Sequence, residues 1–252
     1  MSKILGIIPA RYASTRFPGK PLVNIQGKTM IRRVWEQASK AGNLAAVVVA
    51  TDDDRIVDEV ISFGGNVIMT SPEHATGTDR CREAAEMAEM AGGTQYDAVI
   101  NIQGDEPFIN PEQINQVASC FEQPHAQLAT LVKRLKNQED LWNPNIIKVV
   151  ISLSGKALYF SRNPIPFIRG TEKENWLDTH PFYKHIGIYG YRRKILDEIT
   201  QLKPSMLEKA ESLEQLRWLE NGYTIQVKET EFESHSVDSP EDLLHFTNGS
   251  GE

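Results

Sequence analysis

Cysteine is scarce: the 252 residues contain two, Cys81 and Cys120, far apart, with no C-x-x-C spacing and no neighbouring histidine cluster. That excludes a disulfide framework and argues against a structural zinc site. Long hydrophobic runs are missing too. The longest, such as Ala45 to Ala50, are about six residues, against about 20 for a membrane-spanning helix. The amino terminus has one Lys before an apolar stretch that Pro9 interrupts, and no small-residue cleavage site follows. It reads as a first strand and not as a signal peptide, which points to the cytoplasm. A basic excess is also absent, since 27 Lys and Arg against 34 Asp and Glu give a net charge of −7. A general nucleic-acid binder is therefore not expected. No internal repeat, low-complexity tract or interdomain linker divides the chain, so a single domain over 1–252 is expected, with 247–252 as a tail.

The charge that is present is unevenly spread. Residues 1–40 hold eight Lys and Arg against one acid, Glu36, leaving 19 against 33 in the rest of the chain. A cationic segment on an acidic protein suits a small anionic ligand. Lys28, Arg32, Arg33 and Lys40 fall on a helix and read as its solvated face, whereas Arg11, Arg16 and Lys20 fall in a loop.

Val- and Ile-rich runs at 4–8, 45–50, 66–69 and 98–102 alternate with helical periodicity at 29–41, after Asp52-Asp53-Asp54, at 78–90 and after the Asn110-Pro111 start. Strands alternating with helices imply an α/β fold on a mostly parallel sheet. Past residue 125, strand-like segments at 128–132, 146–151, 157–160 and 186–191 follow without long helices, predicting a mixed, β-rich extension. Helices are expected at 205–221 and 239–246. This divides the domain into a first half, 1–125, and a second part, 126–246.

Two loops carry candidate chemistry. The segment from Ile8 to Pro21 is long for a strand-to-helix turn, typically ~2 to 6 residues. It holds Arg11, Arg16 and Lys20, the hydroxyls of Ser14 and Thr15, and Gly19 for close backbone approach. Such a loop at the carboxyl end of a parallel strand suits a polyphosphate, although G-x-x-x-x-G-K-[ST] is absent. The second, Asn101-Ile102-Gln103-Gly104-Asp105-Glu106-Pro107, ends an apolar strand in two carboxylates. With the doubly wound order 3-2-1-4, Asp105 faces Arg11 and Lys20 across the switch-point crevice, where one carboxylate opposite phosphates can anchor Mg²⁺. Asp52-Asp53-Asp54 contains a D-x-D pattern as metal-dependent glycosyltransferases have, but helix capping explains it more simply.

Together with G-T-D-R (77–80), N-P-N-I-I-K-V-V (143–150), A-L-Y-F-S-R (157–162), H-I-G-I-Y-G-Y-R (185–192), L-E-Q-L-R (213–217) and V-D-S-P-E-D (237–242), these loops give a chain that resembles the 3-deoxy-manno-octulosonate (Kdo) cytidylyltransferases over nearly its whole length. The resemblance implies a Rossmann-like nucleotidyltransferase fold, a homodimer, Mg²⁺ as cofactor, and transfer of CMP from CTP to a 2-keto-3-deoxy sugar acid for lipopolysaccharide biosynthesis. It also makes 1–125 the nucleotide-binding half and 126–246 the sugar-binding and dimerisation part, and it implies roles residue by residue. Arg11, Arg16 and Lys20 would hold the CTP phosphates, Arg80 would lie on the nucleotide side, and Gln103 would sit at the reacting centre. Asp105 and Asp238 would hold the metal. Arg162, His185, Tyr189, Glu214 and Gln215, with Gln103, would line the sugar side. Read by themselves, His185 and Tyr189 could simply pack in a strand, and Glu214 and Gln215 could be helix surface. Segment 163–183 departs from the family pattern, leaving an amino-substituted octulosonate as an alternative acceptor, and the loop motif shared with the sialic acid activators leaves a sialic-type acid as another.

Overall fold

The computed structural model describes residues 2–13, 17–233 and 235–243. Arg16 and the tail 247–252 lie outside them. The first strand, β1 (Ile4–Ala10), is an unbroken apolar run because helices cover both faces of the sheet around it. It is followed by α1 (Met30–Ala38), β2 (Ala46–Thr51), α2 (Asp54–Ser62), β3 (Val67–Met69), α3 (Gly77–Gly92), β4 (Ala98–Asn101) and α4 (Pro111–Cys120). The second half holds β5 (Leu128–Arg134), α5 (Gln138–Trp142), β6 (Lys148–Ile151), β7 (Ala157–Ser161), α6 (Trp176–Thr179), β8 (Tyr183–Arg192), α7 (Arg193–Ile199), α8 (Met206–Glu211), α9 (Glu214–Glu220) and β9 (Ile225–Glu229).

Among the described residues, nine strands form one mixed sheet whose main path runs β9-β5-β8-β4-β1-β2-β3. β1 pairs in parallel with β2 and with β4, and β2 with β3, which is the expected doubly wound order. β8 is antiparallel to both β4 and β5, while β9 runs parallel to β5. β6 and β7 extend the sheet from β8 as an antiparallel pair. One sheet therefore runs through both halves of the chain.

Two apolar layers sandwich this sheet. On one face Ile8, Val49 and Ile100 meet Ile31 and Val34 of α1, Ile56 and Val60 of α2, and Ile114 and Val117 of α4. On the other, Leu5, Ile7 and Val99 meet Cys81, Ala84 and Ala85 of α3, Leu196 of α7 and Trp218 of α9. Cys81 and Cys120 belong to opposite layers and are free, buried thiols, so no disulfide joins them.

The later helices differ from the sequence expectation. The helix expected over 205–221 is interrupted at Ser212, whose φ of 52° is left-handed, so α8 and α9 meet at a corner. β9 follows a Gly222 turn, an edge strand too short and too polar to stand out in the pattern. Of the helix expected over 239–246, a 3₁₀ turn at Pro240–Leu243 forms, and 244–246 lie outside the described residues.

Candidate active site

The loop after β1 is folded on itself by Gly19. Its φ of 72° lets its N–H donate to the carbonyl of Tyr12 at 2.9 Å. The Tyr12 ring closes the turn and is capped by the Arg55 guanidinium, 3.2 Å from its centroid. Arg55 is held in turn by Asp53, whose carboxylate also caps α2. Lys20 begins a 3₁₀ turn and turns its ammonium inward. It donates to Asp105 Oδ2 at 2.8 Å and to the carbonyl of Val237 at 2.8 Å, and Asp238 Oδ1 lies 3.7 Å away.

Asp105 reaches this point because β4 and β1 leave the sheet side by side. A Cβ on Gly104 would lie 2.7 Å from the carbonyl oxygen of Pro9, so only glycine permits that approach. Val237 is fully buried against Ile25 and Met30, and its N–H donates to the carbonyl of Asp105 at 2.9 Å. Asp105 and Asp238, 133 positions apart, thus share one ammonium. Two hard oxygen donors converging on a cation, both still partly exposed, fit Mg²⁺, which binds through one or two carboxylates plus phosphates and water. Among the described residues no third acidic, histidine or cysteine side chain joins them to form an all-protein cage.

Arg11 donates to the carbonyl of His74, whose imidazole contacts Glu83. Glu83 also accepts from the N–H of Ser71 at 2.8 Å, so α3 shapes the 70–76 loop opposite the β1 loop. Arg80 is less accessible than the resemblance implies. It is completely buried, donating to Asp52 at 2.7 Å and to Thr70 Oγ1, with none of its surface open to a ligand. Asp52 is thereby occupied and Asp53 is a cap, which answers the D-x-D pattern in favour of capping.

The expected sugar-side residues gather around β8. Gln103 Nε2 donates to the carbonyl of Gly187 at 2.9 Å, joining the loop after β4 to that strand. His185 Nε2 lies 3.0 Å from Thr130 Oγ1, and its ring meets Phe160 edge-on and Tyr189 at a tilt. Burial holds its pKa down to about 3, so the imidazole is neutral at physiological pH. Tyr189 packs edge-on against Trp218, and its buried hydroxyl has no hydrogen-bond partner among the described residues. An orphaned hydroxyl of this kind marks a place for a polar ligand group.

Glu214, at the start of α9, accepts from Thr78 Oγ1 at 2.9 Å, and burial raises its pKa. Thr78 lies 3.4 Å from the Tyr191 hydroxyl, which accepts from Asn101 Nδ2 at 3.4 Å. This buried chain crosses from α9 through α3 to the end of β4. Gln215 beside it is buried, and Glu214 itself is partly so. Neither residue is helix surface.

Arg162 has a heavier structural engagement than its position suggests. Its guanidinium donates to the carbonyls of Glu211 at 2.6 Å, Pro144 at 3.1 Å and Ser212 at 3.4 Å. The Glu211 carboxylate accepts in return from Ser161 Oγ and from the N–H of Arg162. This reciprocal clasp sets the α8–α9 corner, hence Glu214 and Gln215. Sequence reading missed Glu211, Thr78, Tyr191 and Asn101. Thr78, Asn101 and Tyr191 lie inside the motifs G-T-D-R, N-I-Q-G-D-E-P and H-I-G-I-Y-G-Y-R, which was the available signal.

The family model described as Cytidylyltransferase matches residues 5–229, all but the two ends of the chain. The chain belongs to the cytidylyltransferase family. This cytidylyltransferase is 56% identical over 247 residues to the 3-deoxy-manno-octulosonate cytidylyltransferase of Parabacteroides distasonis, covering 96% of each chain. It is 54% identical over 248 residues to the protein of the same name from Cytophaga hutchinsonii, covering 98% of this chain and 97% of the relative. A solved structure of CMP:2-keto-3-deoxy-manno-octonic acid synthetase complexed with CTP superposes with a TM-score of 0.86 at 41% identity, covering 97% of this chain and 96% of that one. The fold of the cytidylyltransferase is thus the mixed α/β sheet of that synthetase. No helix among its described residues is long and apolar enough to cross a membrane.

Proposed function

We infer that this cytidylyltransferase transfers CMP from CTP to the anomeric hydroxyl of 3-deoxy-manno-octulosonate, releasing pyrophosphate. The observation that carries the reading is the convergence of Lys20, Asp105 and Asp238 at the carboxyl ends of β1 and β4. It occurs in a chain 41% identical to a synthetase solved with CTP. Relatives above half identity carry the Kdo enzyme's name, which favours Kdo over an amino analogue or a sialic-type acid.

In this reading the C2 hydroxyl attacks the α-phosphorus in line, and the protein contributes position and charge without a covalent intermediate. Lys20 and Arg11 face the charge that builds on the departing pyrophosphate. Asp105 and Asp238 would hold Mg²⁺, which when bound would offset triphosphate charge and acidify the attacking hydroxyl. Gln103, tied to Gly187, sits between the two halves of the site and orients the reacting groups. His185 is neutral and the Tyr189 hydroxyl has no partner among the described residues, so both can hydrogen-bond sugar hydroxyls without adding charge. Glu214 and Gln215 hold the sugar from α9. The enzyme acts as a cytoplasmic homodimer serving lipopolysaccharide biosynthesis.

The test is pyrophosphate release with Mg²⁺, each of the four nucleoside triphosphates, and a panel of 2-keto sugar acids. Release with CTP and Kdo alone is expected. Equal kcat/KM with a nine-carbon acid overturns the sugar assignment, and no release under any combination overturns catalysis.

Arg162→Ala separates the two substrates. Losing charge-assisted hydrogen bonds and loosening the α8–α9 corner is expected to raise the KM for sugar by about 10- to 100-fold, the equivalent of about 1.5–3 kcal/mol. The KM for CTP should stay within about twofold. Equal increases in both would count against a sugar-side role.

A further inference from the structure

The acidic segment that follows β9 crosses the sheet to deliver Asp238, and its route is set partway along. Thr230 is buried, and its N–H extends the β9–β5 pairing by donating to the carbonyl of Val132 at 2.8 Å. At the far end Val237 is buried beneath the β1 loop and bonded to Asp105. Between these anchors Glu233 contacts Lys133 Nζ at 2.6 Å and also Lys184 Nζ.

Those two lysines are direct cross-strand partners, Lys184 of β8 opposite Lys133 of β5. Like charges facing each other across a ladder are destabilising, and both side chains are largely buried, with 19% and 17% exposure. Nothing in sheet formation calls for such a pair. Glu233 reconciles it by accepting from both ammonium groups, one on each carboxylate oxygen. The lysine pair is in effect a seat for one carboxylate of the crossing segment, at the end of the sheet where the reacting centre lies.

We propose that Glu233, seated on Lys133 and Lys184, is a positioning residue that holds the crossing segment so that Asp238 completes the cation site with Asp105. The role rests on the metal reading above and extends it to three residues that touch neither substrate nor metal. Lys184 also adjoins His185 in β8, so the same seat couples the placement of Asp238 to the strand bearing the sugar-side residues.

The test uses the full-length enzyme with Mn²⁺ as the probe, bound in the absence of nucleotide and followed by paramagnetic resonance. Glu233→Gln is expected to weaken Mn²⁺ binding at least about tenfold, as loss of a partner behind a metal ligand does. It should raise the Mg²⁺ concentration for half-maximal turnover in proportion, while the KM for CTP at saturating Mg²⁺ stays unchanged. Hydrogen exchange at the Val237 amide should accelerate. Because Glu233→Gln also exposes the lysine repulsion, the triple variant Lys133→Met, Lys184→Met, Glu233→Leu is the control. It should recover thermal stability while metal binding stays weak.

Unchanged Mn²⁺ affinity in Glu233→Gln, or affinity that recovers with stability in the triple variant, overturns the positioning role. If Asp105→Asn binds Mn²⁺ as the wild type does, the metal reading itself falls and the positioning role with it. Loss of binding in Asp105→Asn beside unchanged binding in Glu233→Gln removes the positioning role alone.

Discussion

Asp105→Asn is expected to leave the protein folded and remove nearly all turnover. The substitution keeps the shape of a side chain that is one-quarter exposed, and the amide oxygen can still accept from Lys20. Removal of one partly exposed charge of this kind should shift stability by no more than about 1 kcal/mol. Its effect on the reaction is of a different size. Half of the two-carboxylate set loses its charge just where the triphosphate's own charge must be offset, and that electrostatic contribution is worth several kcal/mol. A loss of about 4 kcal/mol is about a thousandfold in rate. The measurement is kcat for pyrophosphate release at saturating CTP, sugar and Mg²⁺, with the melting temperature as the control on folding. Retention of a tenth of the wild-type rate would overturn the role assigned to Asp105.

Lys20→Met should damage the enzyme in two ways that move in opposite directions. Turnover should fall by about 10²- to 10³-fold, the usual cost of removing one donor aimed at developing charge. Divalent-cation binding without nucleotide should instead become tighter. In the free enzyme the ammonium of Lys20 lies against Asp105 and near Asp238, so an incoming cation must displace it. Removing it takes away the ammonium that contacts Asp105 and lies near Asp238, so the two carboxylates repel more strongly until a cation arrives. The free protein should therefore melt at a lower temperature than the wild type, and added Mg²⁺ should raise that temperature by more. Titration calorimetry with Mg²⁺ alone decides the matter. Binding that weakens in Lys20→Met would show that the ammonium supports the cation site and does not compete for it.

The half of the molecule before residue 125 was readable because its central strands β1, β2 and β4 are buried on both faces and its helices follow at regular intervals. Runs such as Ile4 to Ile8 and Ala98 to Ile102 announce parallel strands, and Asn110-Pro111 announces α4 with its capping box. The order 3-2-1-4 then brings the β1 loop to Asp105 with no further information. The second half resists reading because its decisive contacts are long-range and polar. Ser212 has nothing in its neighbourhood to mark a left-handed residue in a helical stretch, so α8 and α9 looked continuous. Arg80 reads as an available cation until the fold supplies Asp52, 28 positions earlier, as its buried partner. Arg162 similarly reads as a free guanidinium until the α8–α9 corner occupies its donors. The pairing of Asp105 with Asp238 came from the family resemblance, because only the path of the segment after β9 makes them neighbours.

The insertion of β8 between β4 and β5 bears on how the chain is made. When residue 101 has emerged from the ribosome, β3, β2, β1 and β4 can already assemble as a parallel unit, yet one side of β4 has no partner. That partner is the carboxyl-terminal half of β8, completed only at Arg192, about ninety residues later. At ~5–20 residues per second, the ladder groups of Ala98 to Asn101 wait for about 5 to 20 seconds of synthesis. β5, which emerges in the interval, runs in the same direction as β4 and is the nearest competitor for that edge. Unpaired edges of this kind invite association with other nascent chains. The arrangement that places the sugar-side strand beside the nucleotide-side strand thus makes the centre of the sheet close only after β5, β6 and β7 have been made, and gives chaperones a defined interval in which to act.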